Sequence, residues 1–195
     1  MCRPQVADDP VMATPRRIFR IYQALGAHAA EISAFLGAKG EEIPGTVQRL
    51  VARDRAKLLA RWGEEMDELC GVLGGTHHDP YILEATQTFY WACLFAVVGN
   101  ATWDDLAFDQ GRRLAVTCGI GTVPELHAAT ARIVALEPDR VKPAKLVLLW
   151  HVADHIYRQQ TPLDKQRSLE EIMEVDFQEM RKRAYLEPIL REVVE

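Results

Sequence analysis

The chain has few cysteines, and no two of them are close in sequence. Its four cysteines are spread over 195 residues at positions 2, 70, 93 and 118, without a CxxC pair. A disulfide-rich scaffold or a cysteine-based zinc site needs paired cysteines. We therefore interpret these residues as reduced, small and mostly buried side chains in a cytoplasmic protein.

A membrane-spanning segment and a signal peptide are also missing from the pattern. The longest unbroken apolar run, Phe89 to Val98, has about ten residues, and roughly 20 are needed to cross a bilayer as a helix. No charged segment followed by an apolar segment and a cleavage site begins the chain. We expect a cytoplasmic location and no membrane partner.

Basic residues are not in excess. The formal net charge is -5 and the isoelectric point is about 5.7, which argues against general nucleic-acid binding. The composition favours a nucleotide-type small molecule as the ligand. The hydrophobic content of 48% is ample for a packed core in a chain of this length.

The sequence contains no strand-like alternation, internal repeat or low-complexity block. Apolar residues instead recur at helical spacing, which predicts an all-α protein of about seven helices. Residues 1–13 have no period and are predicted to be a flexible tail. Residues 14–118 form the predicted bundle core, Gly119 to Gly121 mark the boundary, and residues 122–195 form a C-terminal helical extension.

Local signals set the expected helix ends. Capping residues before an early proline or acid predict helix starts at Thr14, Thr122 and Ser168. One continuous helix is expected from Gly45 to about Leu73, and another from Thr102 to near Cys118. Asp79-Pro80 is expected to open the central helix, and Pro188 to end the last one.

The stretch around Arg61 to Glu68 is the most informative part of the chain. At helical spacing its apolar residues form a single core-facing stripe: Leu58, Leu59, Trp62, Met66, Leu69, Cys70 and Leu73. Glu65 falls at the edge of that stripe, with Arg61 and Glu68 beside it, whereas Asp67 points the opposite way. We expect Glu65, Glu68 and Arg61 to line a cleft and Asp67 to meet solvent.

The central helix carries its polar residues at one end only. Phe89 to Val98 has no polar face, which is typical of a fully buried helix. Glu84, Gln87 and Thr88 precede that run within about one turn, so Glu84 is expected inside the protein. A carboxylate there needs a cation, an arginine or a proton.

These two segments resemble the all-α nucleotide pyrophosphohydrolases of the phosphoribosyl-ATP pyrophosphohydrolase and MazG type. The family's first motif, approximately KxGEExxE, appears as Arg61-Trp-Gly-Glu64-Glu65-Met-Asp-Glu68. Its second, ExxD, appears as Glu84-Ala-Thr-Gln87, followed by the apolar helix and by Thr102-Trp-Asp-Asp105. The resemblance covers about a third of the chain, roughly residues 45 to 106.

The resemblance implies a MazG-like helical bundle that hydrolyses an α–β phosphoanhydride of a nucleotide and releases pyrophosphate. It implies a Mg²⁺ cofactor, with Mn²⁺ possible, and a homodimer, which would also help to bury the apolar central helix. The metal ligands would be Glu65, Glu68, Glu84 and Gln87. Glu64 and Glu65 would be catalytic, Glu64 by positioning or activating the water, and Arg61 would contact phosphate.

Gln87 departs from the family pattern, because an amide can coordinate a metal but brings no negative charge. Two other functions therefore stay open. One is a catalytically relaxed nucleotide-binding or regulatory relative, in which Arg61 pairs with Glu65 or Glu84 and replaces the ion. The other is a helical adaptor that uses the C-terminal extension as its interface.

Several other polar groups each have two interpretations. Arg112 and Arg113 either reach phosphates or favour a helix C-terminus. His77 and His78 either approach a ligand or are exposed loop residues. A basic group either forms a solvated face or contacts phosphate: Arg49, Arg53, Arg55 and Lys57. A stripe on one helix is either a metal site or a polar surface: His151, Asp154, His155 and Arg158. A C-terminal acidic group is either a second acidic site or a solvated face: Glu170, Glu171, Glu174 and Glu179.

Overall fold

The computed structural model describes residues 14–193, and within that range the protein is all-α, as the sequence predicts. The predicted tail, residues 1–13, lies outside the described residues. Nine α-helices follow one another in the described range: α1 (Pro15–Ala38), α2 (Gly45–Ala52), α3 (Arg55–Gly74), α4 (Tyr81–Val98), α5 (Phe108–Ala115), α6 (Val123–Val134), α7 (Pro143–Gln160), α8 (Leu169–Arg181) and α9 (Glu187–Glu192).

The capping signals predicted at Thr14, Thr122 and Ser168 are confirmed. The hydroxyl of Thr14 accepts a hydrogen bond from the backbone N–H of Arg17 and opens α1. Thr122 and Ser168 each form a capping box with a glutamate three residues on, which satisfies free N–H groups at the starts of α6 and α8. Local chemistry thus sets these helix starts.

The single helix predicted from Gly45 to Leu73 is wrong, because the chain breaks it between α2 and α3. Arg53 has a left-handed backbone (φ 52°), and its guanidinium donates hydrogen bonds to the Val98 carbonyl and the Asn100 side chain. Asp54 then caps α3 by accepting the N–H of Lys57. Contacts with distant residues and a new cap offset the lost helical turn.

Three other expected helix ends also differ. The helix predicted from Thr102 to Cys118 is interrupted at Ala107, whose φ is 46°, into a short 3₁₀ turn and α5. The N-cap of α4 is Pro80, without a side-chain cap from Asp79. Pro188 lies in the first turn of α9, where its missing N–H leaves no unmade bond, so it does not end a helix.

Helix α4 is the centre of the bundle, as its sequence predicts. It packs against α1, α3, α7 and α8, and 78% of its length is buried. Helix α4 is long and apolar enough to cross a membrane, but the buried core helix of a globular protein can have the same length and composition. Because one chain already covers α4, its apolar character no longer supports the homodimer, which stays a prediction.

The C-terminal helices share this core. The indole N–H of Trp150 on α7 donates to the Ala85 carbonyl of α4 at 2.8 Å. The hydroxyl of Thr86 donates to the Ile172 carbonyl of α8 at 3.0 Å. A side chain of α7 and the backbone of α8 therefore bond to α4 next to its polar end.

Candidate functional site

The acidic residues of α3 and α4 face each other across the most extensive helix contact of the bundle. The core-facing stripe of α3 is buried as predicted from Leu58 to Cys70, whereas Leu73 at its end is half-buried. Glu65 beside the stripe is only 2% exposed. Glu84 on α4 is 1% exposed. The hydroxyl of Thr88 donates to the Glu84 carbonyl at 2.8 Å and to the Glu65 carbonyl at 3.3 Å. The two helices thus hold both carboxylates in the same interior region.

Glu68, His77 and Glu84 form a group that can hold a metal ion. One ligand atom from each residue lies within 4.8 Å of the other two. His77 Nε2 is 3.8 Å from Glu84 Oε1 and 3.0 Å from Asp79 Oδ2. Glu68 is exposed, His77 is half-buried and Glu84 is buried, so the group opens to solvent on one side.

The end of α3 brings His77 to this group. Gly75 has a left-handed backbone (φ 73°), and the N–H groups of Thr76 and His77 both donate to the Gly71 carbonyl. The chain therefore turns back over the last turn of α3. A Cβ on Gly71 would lie 2.8 Å from the Cβ of His77, so a glycine at this position lets the loop approach the helix closely.

Glu84 is electrostatically unsatisfied. Burial, together with the nearby carboxylates of Glu68 and Glu65, raises the pKa of Glu84 to about 7, against the lowering effect of His77. Its Oε2 is buried and has no hydrogen-bond partner within the described part of the chain. A positive ion between Glu84 and Glu68 would offset the repulsion between the two carboxylates and the cost of burying Glu84. Carboxylate and imidazole groups are suitable ligands for such an ion.

Glu65 has different partners. Its Oε1 accepts hydrogen bonds from the Arg61 guanidinium at 2.8 Å and from the Trp91 indole N–H at 3.0 Å. Arg61 also pairs with Glu64 at the surface. Burial still raises the pKa of Glu65, and so does Glu68, against the lowering effects of Arg61 and Trp91. The Arg61–Glu65 pair weighed from the sequence is therefore present.

The predicted metal ligands are only partly brought together. Glu68 and Glu84 converge, Glu65 lies beside them but is engaged by Arg61, and Gln87 is half-buried one turn along α4. His77 takes the third position, although the sequence left its role open. The glycines at 71 and 75 were the signal that could have found it, because they let the loop fold back onto α3.

The remaining candidates lie elsewhere. Arg112 and Arg113 belong to the last turn of α5, which packs against α7, and Arg112 lowers the pKa of His151. Asp67 is exposed, as predicted, and is 3.5 Å from His127. His78 is exposed. In the C-terminal acidic group, Glu171 completes the α8 cap and Glu179 pairs with Lys182.

The polar stripe on α7 is divided among separate partners. His151 is buried beside the rings of Phe108 and Trp150, and burial lowers its pKa to about 4. Asp154 accepts hydrogen bonds from the Tyr81 hydroxyl and from Arg158. These bonds support a structural role for the stripe.

The sequence matches no family model, and neither a curated protein nor a solved structure shows significant similarity to it.

Proposed function

We propose that the protein is a metal-dependent nucleotide pyrophosphohydrolase, which cleaves an α–β phosphoanhydride and releases pyrophosphate. The observation that carries the proposal is the convergence of Glu68, His77 and Glu84 from two helices and a loop within 4.8 Å. The motif resemblance supports the same reaction, because Glu68 and Glu84 are among the residues that it implies as ligands.

The side chains have separate roles in this proposal. Glu68, His77 and Glu84 hold the cation, and Glu65 lies behind them as a third carboxylate, fixed by the Trp91 indole. A bound divalent cation neutralises phosphate charge and lowers the pKa of a coordinated water. Glu64, exposed one turn before Glu68 on α3, positions the attacking water.

The ligand set affects which metal is preferred. Mg²⁺ favours all-oxygen coordination, whereas an imidazole nitrogen suits transition metals. Because His77 contributes a nitrogen beside two carboxylates, we propose that Mn²⁺ binds more tightly than Mg²⁺. Substituting His77→Asp should restore an all-oxygen set and reduce that preference.

The test combines metal binding with turnover. Mn²⁺ and Mg²⁺ are titrated while thermal unfolding is followed, and pyrophosphate release is assayed with nucleoside triphosphates and with phosphoribosyl-ATP. Glu68→Gln and Glu84→Gln should abolish both the metal-induced stabilisation and turnover. Asp67→Asn is the matched control, because Asp67 lies on the same helix but faces solvent. Turnover that is unchanged in Glu84→Gln would refute the proposal.

A second function is favoured by one specific observation, the Arg61–Glu65 ion pair. In a non-catalytic nucleotide-binding relative this pair substitutes for a metal, and Gln87 leaves that site with less negative charge. Such a protein would be stabilised by nucleotide without hydrolysing it and without needing metal. The same titrations separate the two functions, and stabilisation by neither ligand would favour the helical adaptor.

A further inference from the structure

A second feature lies on the other side of Arg61, where the break between α2 and α3 leaves a cavity of about 310 Å³. That volume is at the lower end of the range for small-molecule sites. The cavity is lined by residues of α2, α3 and α4 and by the N-cap residue of α3: Gly45, Gln48, Arg49, Ala52, Asp54, Lys57, Leu58, Arg61 and Trp91.

The lining is positively charged, although the protein as a whole carries a net charge of -5. Arg49, Lys57 and Arg61 face one carboxylate, Asp54, which already accepts the Lys57 backbone N–H as the cap of α3. Neither Arg49 nor Lys57 forms an ion pair with any residue between 14 and 193. Their charges are therefore available to an anion.

Trp91 orients two of these cations. The guanidinium carbon of Arg49 lies 4.8 Å from the centre of the indole ring, and that of Arg61 lies 5.2 Å from it. A Cβ on Gly45 would lie 2.7 Å from a terminal nitrogen of Arg49. The indole ring positions both guanidinium groups at the cavity wall before any ligand binds, and the absence of a side chain at Gly45 leaves room for that of Arg49.

The other two arginines of the same basic group have partners elsewhere. Arg53 donates to the Val98 carbonyl, and Arg55 pairs with Asp139 at 2.8 Å. The helix break thus sorts four neighbouring cations into two that stabilise the fold and two, Arg49 and Lys57, that line the cavity. Arg49 is half-buried and also bonds to Tyr90, so it is not part of a merely solvated basic face, whereas Lys57 is exposed at the cavity rim.

We propose that this cavity binds a pyrophosphate group, either free or as the end of a nucleoside triphosphate. Forked guanidinium donors and an ammonium group are suited to phosphate oxygens. Arg61 and Glu68 are seven residues apart on α3, about 10 Å along the helix axis, which is comparable with the length of a triphosphate chain. The identification with a substrate rests on the proposed function, whereas binding of pyrophosphate itself does not.

The test measures pyrophosphate binding calorimetrically in EDTA at low salt. Arg49→Met and Lys57→Met keep much of the side-chain length and remove one charge each, so each should weaken binding about tenfold, the loss of one charge-assisted contact. Lys145→Met, at an exposed site on α7 outside the cavity, should leave binding unchanged. Absence of binding by the unsubstituted protein, or equal binding by all three variants, would overturn the proposal.

Gly45→Ala provides a second variant that changes no charge. Its methyl group should displace the Arg49 guanidinium and weaken pyrophosphate binding, while the thermal midpoint stays near that of the unsubstituted protein. Unchanged binding by Gly45→Ala would refute the role given to Arg49. Binding is then compared for pyrophosphate, a nucleoside triphosphate and a nucleoside monophosphate, and a monophosphate that binds as tightly as pyrophosphate would contradict the assignment.

Metal titration separates this inference from the proposed function. Lys57→Met should retain the Mn²⁺-induced stabilisation that Glu84→Gln loses. If pyrophosphate binds in EDTA but no metal stabilises the protein, the hydrolase proposal fails and the anion site stands. If metal binds and turnover occurs without metal-free pyrophosphate binding, the anion site fails and the hydrolase stands.

Discussion

Asp176 should make the folded protein less stable as the pH rises towards neutrality. The Tyr22 hydroxyl on α1 lies 2.8 Å from both carboxylate oxygens of Asp176 on α8. Burial raises the pKa of Asp176 to about 7, although the hydrogen bond from Tyr22 and the charge of Arg183 lower it. This hydrogen bond links α1 to α8. Because the pKa of Asp176 is raised, the folded protein is most stable when that carboxyl group is protonated.

The sign and size follow from proton linkage. An aspartate in an unfolded chain loses its proton near pH 3.9, whereas the folded protein keeps the proton on Asp176 up to about pH 7. Between those values the folded state binds more protons, so its stability falls as the pH rises. At about 1.4 kcal/mol for each pKa unit, the total loss is about 4 kcal/mol.

Asp176→Asn should remove that loss. The amide cannot ionise, and its oxygen still accepts the Tyr22 hydroxyl. The free energy of unfolding, measured with urea and tryptophan fluorescence, should rise relative to the unsubstituted protein by about 4 kcal/mol between about pH 4 and about pH 8. Glu170→Gln, at an exposed site on α8, is the control. A constant difference over that range would refute the reasoning.

Three further substitutions test the site and the core. Gly71→Ala should push His77 away and weaken the metal-induced stabilisation; Gly74→Ala, whose Cβ would meet only Val123 at 3.8 Å, should not. Trp91→Phe removes the indole N–H bonded to Glu65 and should lower the free energy of urea unfolding by about 2 kcal/mol; no change would show that the bond is dispensable. Leu94→Ala, at a fully buried position on α4, should lower the free energy of unfolding by about 2 kcal/mol or more, the usual range for a core leucine. A smaller loss would show that neighbouring side chains fill the space that Leu94 leaves.

The sequence predicts the features that depend on nearby residues. Thr122 and Ser168 open their helices as capping boxes because both partners lie within four residues. The burial of Glu84 follows from the all-apolar helix after it. Periodicity of this kind is enough to predict an all-α protein and the facing positions of Glu68 and Glu84.

Features that depend on distant contacts were not predictable in this way. The helix break at Arg53 is stabilised by a carbonyl 45 residues away, at Val98, and helix propensity alone favours continuing through it. The position of His77 depends on a close approach to Gly71 across a turn. The cavity lies where the break at Arg53 separates α2 from α3. The prediction of one continuous helix from Gly45 to Leu73 therefore could not include it.

Arg61 belongs to both parts of the candidate site, and this position links the two proposals. It lines the cavity and at the same time pairs with Glu65, beside Glu68 and Glu84. An anion in the cavity would compete with Glu65 for the guanidinium, and a Glu65 carboxylate released from Arg61 would add negative charge next to the proposed metal ligands. By linkage, an anion that favours the metal must in turn be favoured by it to the same extent. A bound anion would therefore determine whether Glu65 pairs with Arg61 or faces the cation. In the hydrolase Arg61 would bind the anion, whereas in the non-catalytic binding protein it would stay paired with Glu65.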